Sequence, residues 1–271
     1  MTSSIVNSTP YPFTFDTESV NVSNKDGKAQ ILLENVRGRV PSLQASKLRA
    51  LMLQADADPT KTMATTCTYD GLSSRLVEEA GFPLIFLAGY AMASAHGLPD
   101  TGYIAMQDVC AVIQQVARQV TVPIIADGDT GYGSPMNVKR CVESFALAGA
   151  AGVMIEDQTW PKRKSNLPKD NIPLLTATGC GHTKGKSVVG RGEAFARIQA
   201  AVDARNNGLD IWILARTDAL IEGWDEAILR AKEFARIGVD AVFVEALPDK
   251  AAMEKCAKVI GVPVMANSEC P

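Results

Sequence analysis

Seven short apolar segments recur along this sequence, and amphipathic stretches with helical periodicity lie between them. Polar residues do not alternate within these segments, so both faces of each are expected to be buried, as in the strands of a parallel sheet. The segments are residues 63–67, 83–88, 122–127, 151–156, 211–216, 240–245 and 262–267. Serial βα repetition of this kind predicts an α/β fold with a parallel sheet.

The number of segments points to a barrel that lacks one strand. A chain of 271 residues is close to the roughly 250 residues typical of one (β/α)₈ TIM barrel. Such a barrel needs eight strands, and the sequence ends four residues after the seventh segment. We therefore expect a barrel truncated after strand 7, or an open sheet. The predicted organisation is a polar arm over residues 1–40 and a single incomplete barrel domain over residues 41–271.

Composition narrows the classes of partner and compartment. Hydrophobic residues make up 46% and charged residues 21% of the chain, as in soluble globular proteins. The net charge of −3 gives no electrostatic footprint for nucleic acid, and no run of about 18 apolar residues predicts a membrane span. The six cysteines form no CxxC pair and no secretion signal precedes them, which predicts reduced thiols in the cytoplasm.

Carboxylates follow several of the predicted strands. Asp127 and Asp129 follow the third segment, Glu156 ends the fourth, and Asp100 lies in the connection after the second. The carboxyl ends of parallel strands share one face, so these four groups would repel each other and raise each other's pKa unless a cation joined them. Mg²⁺, with Mn²⁺ as the alternative, prefers oxygen ligands and keeps several waters. A site with one direct Asp and water-bridged carboxylates fits.

Other strand-end residues have two equally good interpretations. Asp70, Asp218 and Asn267 could belong to the site, or could start turns and cap helices.

Arg216 can hold a carboxylate in bidentate fashion. The small-residue stretch 180–186 carries Cys180 and His182, a pair able to transfer a proton. Together these groups predict a reaction through the enolate of a small dicarboxylic or 2-oxo acid.

Five ordered motifs resemble one enzyme superfamily. They are ADGDTGYG (126–133), GVMIEDQ (152–158), CGHTKGK (180–186), ARTDALIEG (215–223) and FVEALP (243–248). These motifs resemble the isocitrate lyase / phosphoenolpyruvate mutase superfamily over residues 45–267. The resemblance implies a (β/α)₈ barrel, a Mg²⁺ site, an enolate intermediate, a small dicarboxylate substrate and a homotetramer.

The resemblance also implies a role for each matching residue. Asp127 matches the direct metal ligand, and three further carboxylates match residues that hold metal-bound waters: Asp129, Glu156 and Asp100. Cys180 matches the general acid/base of the gating loop, beside His182. The remaining matches are substrate-binding positions: Gly89, Tyr90, Asp129, Arg216, Glu245 and Asn267.

Within the superfamily, Pro161 and the Gly89-Tyr90 pair resemble 2-alkylmalate lyases similar to the petal death protein. This predicts a lyase that cleaves a C–C bond of a 2-hydroxy dicarboxylate. Oxaloacetate acetylhydrolase is the alternative, although Ser is expected there in place of Pro161. A catalytically silent or impaired barrel is a further alternative, and a phosphonate mutase is disfavoured by Cys180.

Residues 164–179 interrupt the resemblance between Arg163 and Cys180. Removing these sixteen residues restores the spacing of the superfamily. Two interpretations stand side by side: an in-frame intron read through into the protein, or an extension of the gating loop.

The remaining polar and aromatic side chains are assigned to packing or to solvent. Trp160, Trp212 and Trp224 are interpreted as packing residues. His96 is expected to orient the Asp100 loop, and Lys184 and Lys186 are expected to be solvated.

Overall fold

A single parallel sheet organises the protein. The computed structural model describes residues 40–57, 62–160 and 186–267. Within these residues seven strands pair in sequence order, each parallel to the next. The strands are β1 (Cys67–Thr68), β2 (Ile85–Leu87), β3 (Ile124–Asp127), β4 (Gly152–Glu156), β5 (Trp212–Thr217), β6 (Ala241–Val244) and β7 (Val264–Met265).

Helices connect successive strands, as the alternating pattern predicts. One helix precedes the sheet and at least one lies in every connection between described strands. The helices are α1 (Leu43–Asp56), α2 (Gly71–Glu79), α3 (Gly89–Ala95), α4 (Met106–Ala117), α5 (Pro135–Ala148), α6 (Arg191–Asn206), α7 (Trp224–Ile237) and α8 (Lys250–Ile260). The predicted fold class is confirmed: the described residues form six consecutive βα units followed by a seventh strand, as in a truncated (β/α)₈ barrel. None of the described helices combines the length and apolar character needed to cross a bilayer.

The structure corrects the bounds of the first strand and shows the contacts of one residue of the predicted arm. The first strand was predicted at residues 63–67, but β1 is Cys67–Thr68, because only these two residues pair with β2. In the described sheet, residues 63–66 form no ladder with β2. Val40, assigned to the polar arm, forms a parallel bridge with Leu209 and donates its N–H to the carbonyl of Gly208 at 3.2 Å. The other residues of the predicted arm lie outside the described residues.

Apolar side chains fill two layers, one on each side of the sheet. Residues two apart on a strand face the same side. One set packs between the sheet and the surrounding helices, and it includes Val153, Ile213 and Val242. The other set fills the interior of the sheet: Leu84, Phe86, Ala88, Ile125, Met154, Trp212, Leu214, Ala241 and Phe243.

Helix α1 closes the interior at the amino ends of the strands. It begins at Ser42, whose Oγ accepts a hydrogen bond from the N–H of Ala45 at 3.2 Å, as an N-cap does. Leu48 is fully buried and belongs to the interior cluster. Arg49 pairs with the buried Asp210 at 2.6 Å, next to the start of β5. This ion pair and the burial of Leu48 hold α1 against the amino ends of the strands. The carboxyl ends of the strands, at the opposite side of the barrel, are not covered by this helix.

Gly128 follows β3 where the backbone passes directly over β4. Its N–H donates to the carbonyl of Met154 at 2.8 Å. A Cβ there would lie 2.7 Å from the same carbonyl oxygen and 2.8 Å from Cγ2 of Val153. The close approach requires glycine, because these neighbours belong to a packed strand.

Replacing Gly128 by Ala is therefore expected to lower the free energy of unfolding by about 1–3 kcal/mol through overpacking. Urea denaturation measures it. Gly192→Ala in α6 is the matched control, since a Cβ there meets nothing within 4 Å. Equal stability of the Gly128→Ala variant and the wild type would contradict the expected clash.

Candidate active site

The candidate site is the uppermost layer of the barrel interior. Side chains alternate along a strand, so the residue two positions beyond an interior apolar residue also faces inward. Five interior apolar positions are followed in this way by a polar residue: Ile125 by Asp127, Met154 by Glu156, Leu214 by Arg216, Phe243 by Glu245, and Met265 by Asn267. All five polar residues lie at the carboxyl ends of strands, the face that carries catalytic residues in barrel enzymes.

Backbone amides fix the carboxylate of Asp127. Its Oδ2 accepts from the N–H of Gly89 at 3.1 Å, and its Oδ1 accepts from the N–H of Asp129 at 2.9 Å. Asp129 has φ 53°, a left-handed conformation that Asp tolerates better than most residues. A Cβ at Gly89 would lie 2.8 Å from Oδ2 of Asp127, so the approach requires glycine. The Gly89 amide, predicted to receive a substrate carboxylate, is used here by Asp127.

The other two predicted metal residues are Glu156, which bonds to the turn at residues 127–129, and Asp100. The N–H of Glu156 donates to the carbonyl of Asp129 at 2.9 Å, and the side chain of Glu156 is fully buried. Asp100 lies half-buried in the connection between α3 and α4. That connection packs on Trp160 through Gly102, where a Cβ would lie 2.4 Å from the Trp160 ring.

The donor chemistry of these residues fits a hard cation that retains water. All four side chains offer oxygen only, the ligand type that Mg²⁺ prefers. In the described part of the chain, no three His, Cys, Asp or Glu side chains are close enough to share an ion directly. Asp127 and its neighbours would hold Mg²⁺ by one or two direct carboxylates, with water completing the coordination.

Arg216 lies among three buried carboxylates. Its Nε and Nη2 donate to Oδ2 and Oδ1 of Asp218, both at 2.9 Å. Its Nε also lies 3.3 Å from Oε2 of Glu156, and its Nη2 lies 3.0 Å from Oε2 of Glu245. Burial opposes the charge of Arg216, but the three carboxylates outweigh it and raise the pKa of the guanidinium well above its usual value. The bidentate edge predicted to hold a substrate is occupied by Asp218.

Asp218 is a buried member of the site, and Lys186 is bound to it. Nζ of Lys186 donates to Oδ1 of Asp218 at 2.7 Å, and only 9% of the Lys186 side chain is exposed. The expectation that Lys186 is solvated is wrong, because its ammonium neutralises a carboxylate with no exposed surface. Burial alone would raise the pKa of Asp218, but Arg216 and Lys186 hold it at about 2.

This pKa predicts how Asp218 contributes to stability at different pH. Because the folded pKa of about 2 lies below the ordinary 3.8, the contribution is fully present above pH 4 and is lost as the pH falls towards 2. Its size is about 2 kcal/mol. We expect the difference in unfolding free energy between wild type and Asp218→Asn to be constant above pH 5 and to shrink below pH 4. Urea titrations at fixed pH measure it, and a difference independent of pH would contradict the assignment.

The two remaining strand-end residues meet each other. Nδ2 of Asn267 donates to Oε1 of Glu245 at 3.0 Å, so the amide orients the carboxylate that faces Arg216. Asp70 instead caps α2 by accepting from the N–H of Ser73 at 2.7 Å, which is the structural interpretation of that residue.

The aromatic residues pack, as predicted, and His96 bonds locally. Trp212 belongs to the interior cluster, Trp224 packs on the outer layer, and Trp160 meets Tyr132 edge to face at 6.1 Å. Nδ1 of His96 lies 2.8 Å from the carbonyl of Met92 in α3. Tyr90 is 47% exposed at the mouth.

Several predicted features lie outside the described residues. Cys180, His182, Lys184 and Pro161 are among them, as is the interruption at residues 164–179.

Sequence reasoning missed a charged cluster behind the sheet. Asp157 faces the helices, where it accepts from Oγ1 of Thr217 at 2.8 Å and the N–H of Asp218 at 2.9 Å. Nη1 of Arg230 donates to it at 3.0 Å. Burial raises the pKa of Asp157 above its usual range, and the nearby charge of Asp218 adds to that rise. The available signal was Arg230 itself, which shares an apolar helical stripe with Ala227 and Phe234.

Fold and site together define an α/β-barrel protein whose polar groups converge at the carboxyl ends of its strands. The profile of the phosphoenolpyruvate phosphomutase family matches residues 53–270. The chain is 38% identical over 200 residues to a probable 2-methylisocitrate lyase of Corynebacterium glutamicum, covering 73% of this chain and 60% of that protein. It is 32% identical over 225 residues to the 2,3-dimethylmalate lyase of Eubacterium barkeri, covering 82% and 70%.

Solved structures of related enzymes are also similar to this chain. Oxaloacetate acetylhydrolase in complex with 3,3-difluorooxalacetate superposes with a TM-score of 0.71 at 34% identity, covering 83% of this chain and 71% of that one. Phosphonopyruvate hydrolase with oxalate and Mg²⁺ gives 0.66 at 25% identity, covering 82% and 71%. The chain belongs to the phosphoenolpyruvate phosphomutase family, in the PEP mutase/isocitrate lyase superfamily. It spans about three fifths of the length of the first curated relatives that it matches.

Proposed function

We propose that this protein is a Mg²⁺-dependent lyase that cleaves a C–C bond of a 2-hydroxy dicarboxylate through an enolate. The observation that carries the proposal is the Asp127 carboxylate, fixed by two backbone amides in the same polar layer as Arg216. Such prior fixing reduces reorganisation when a charged ligand enters. The similar 2-methylisocitrate and 2,3-dimethylmalate lyases support the reaction class.

Each group has a part in this reaction. The bound Mg²⁺ would supply electrophilic stabilisation of negative charge that develops on the substrate. Asp127 would ligate the ion directly, while Asp129, Glu156 and Asp100 would orient its waters. Arg216 would bind a substrate carboxylate.

The substrate is cleaved and then protonated, in that order. The 2-hydroxyl loses its proton to solvent, and the bond between C2 and C3 breaks to give a 2-oxo acid. The electron pair stays on C3 as an enolate, and the Cys180 thiol protonates that carbon and then regains a proton from solvent. His182, two residues along, would assist the proton transfer. Gly89, Tyr90, Glu245 and Asn267 would shape the substrate pocket.

Oxaloacetate hydrolysis to oxalate and acetate is the second candidate. The similarity to oxaloacetate acetylhydrolase at 34% identity favours it. The same metal and arginine would serve, but water would take part in breaking the C–C bond. Mn²⁺ in place of Mg²⁺, a homotetramer and a cytoplasmic location stay predictions under either candidate.

A substrate panel tests the proposal. We expect 2-oxo acid release from at least one 2-alkylmalate in the presence of Mg²⁺, none with EDTA, and loss of release in Cys180→Ala. Oxalate release from oxaloacetate, without cleavage of any 2-alkylmalate, would favour the second candidate. No release from any substrate, with or without residues 164–179, would contradict both and leave a catalytically silent barrel.

A further inference from the structure

Lys186 and Asp218 form a buried pair that ends on Arg216. The ammonium of Lys186 and the guanidinium of Arg216 both bind Asp218, and both contact its Oδ1, at 2.7 and 2.9 Å. Asp218 has no exposed surface. A carboxylate shared by two buried cations has little freedom to rotate, so the plane of the Arg216 guanidinium is fixed with it.

The contacts leave one nitrogen of Arg216 for another partner. A guanidinium has five N–H groups, two of them on Nη1. The hydrogen bonds and closest ion-pair contacts from Arg216 to described residues all leave from Nε and Nη2. The described part of the chain thus provides no hydrogen-bond acceptor for the two N–H groups of Nη1.

We infer that Lys186 is a positioning residue, which acts through Asp218 to hold Arg216 so that Nη1 donates to a carboxylate of the ligand. This inference rests on the proposed function, since it deepens the role of Arg216. Without the ammonium, Asp218 keeps a single cation and Arg216 faces three carboxylates alone. The guanidinium of Arg216 then orients towards whichever carboxylate is nearest, so the direction of the Nη1 N–H groups is no longer fixed.

A purely structural ion pair predicts something different. It would lower the melting temperature when Lys186 is lost, but would leave the affinity for a carboxylate ligand unchanged. A positioning role lowers that affinity, and it does so only while Asp218 is present to transmit the effect. Ligand affinity and a double-mutant cycle therefore separate the two roles.

The experiment measures oxalate binding to the full chain with Mg²⁺ by isothermal titration calorimetry. We expect Lys186→Met and Asp218→Asn each to raise the Kd for oxalate about tenfold or more. The double variant should bind no more weakly than the weaker single variant, and Lys186→Arg should recover most of the affinity. Lys139→Met is the matched control, because Lys139 pairs with Asp203 at 3.2 Å on an exposed face, and it should leave the Kd unchanged.

Three results would overturn the inference. These are unchanged affinity in Lys186→Met, effects of the two single variants that multiply in the double variant, and absence of oxalate binding by the wild type. If Lys186→Met fails to fold, Lys186→Gln provides the comparison with Lys186→Arg. Failure of the proposed function would look different, because oxalate would still bind with these variant effects while no substrate was cleaved.

Discussion

Asp127→Asn is expected to lower kcat/KM at least about 10³-fold, which corresponds to about 4 kcal/mol of lost transition-state stabilisation. Asn keeps the shape of Asp but loses the charge that binds the ion. It also turns an NH₂ group towards one of the two amides, of Gly89 or Asp129, that now donate to the carboxylate. Two donors would then face each other, so the side chain would rotate away from its fixed position.

Metal binding checks this result without relying on activity. Mg²⁺ titration by calorimetry should show binding in the wild type and weakened or undetectable binding in Asp127→Asn. Asp249→Asn is the matched control, because Asp249 only caps α8 by accepting from the N–H of Ala252 at 2.8 Å, and Asn caps equally well. Undiminished Mg²⁺ affinity in Asp127→Asn would remove Asp127 from the metal site.

The fold and the carboxylates at the strand ends were predictable because both follow from local periodicity. An apolar run that ends in Asp127 or Glu156 places the carboxylate on a definite face once the strand is recognised. The glycines that end α5, α7 and α8 are local signals of the same kind, and Gly149, Gly238 and Gly261 all adopt positive φ. These features depend on neighbours within a few residues of each other.

The partners of Arg216 and Asp218 were not predictable, because they depend on contacts that form only in the folded chain. The sequence places Lys186 next to glycine, where a solvated lysine is the ordinary expectation. Only the folded chain shows that Lys186 reaches Asp218, 32 residues away. Bidentate binding of a substrate by Arg216 was a reasonable inference from its chemistry, yet Asp218, two residues along the chain, occupies that edge.

Arg230→Met is expected to cost about 3–5 kcal/mol of unfolding free energy, since it leaves a buried carboxylate without its cation. Arg230 is 2% exposed. Its Nη1 donates to Asp157 at 3.0 Å and to the carbonyl of Val189 at 2.9 Å, while its Nε donates to Glu226 at 2.7 Å. One side chain thus joins α7 to the end of β4 and to the segment before α6.

The same helix supplies the control. Arg236 pairs with Glu233 on the surface, with 75% of its side chain exposed, so Arg236→Met should leave the unfolding free energy nearly unchanged. Adding Asp157→Asn to Arg230→Met should cost less than the sum of the two single variants, because the second change removes the charge that the first left unpaired. Chemical denaturation of the four variants and the wild type measures both effects. Equal losses in Arg230→Met and Arg236→Met would show that the cluster behind the sheet does not hold the barrel together.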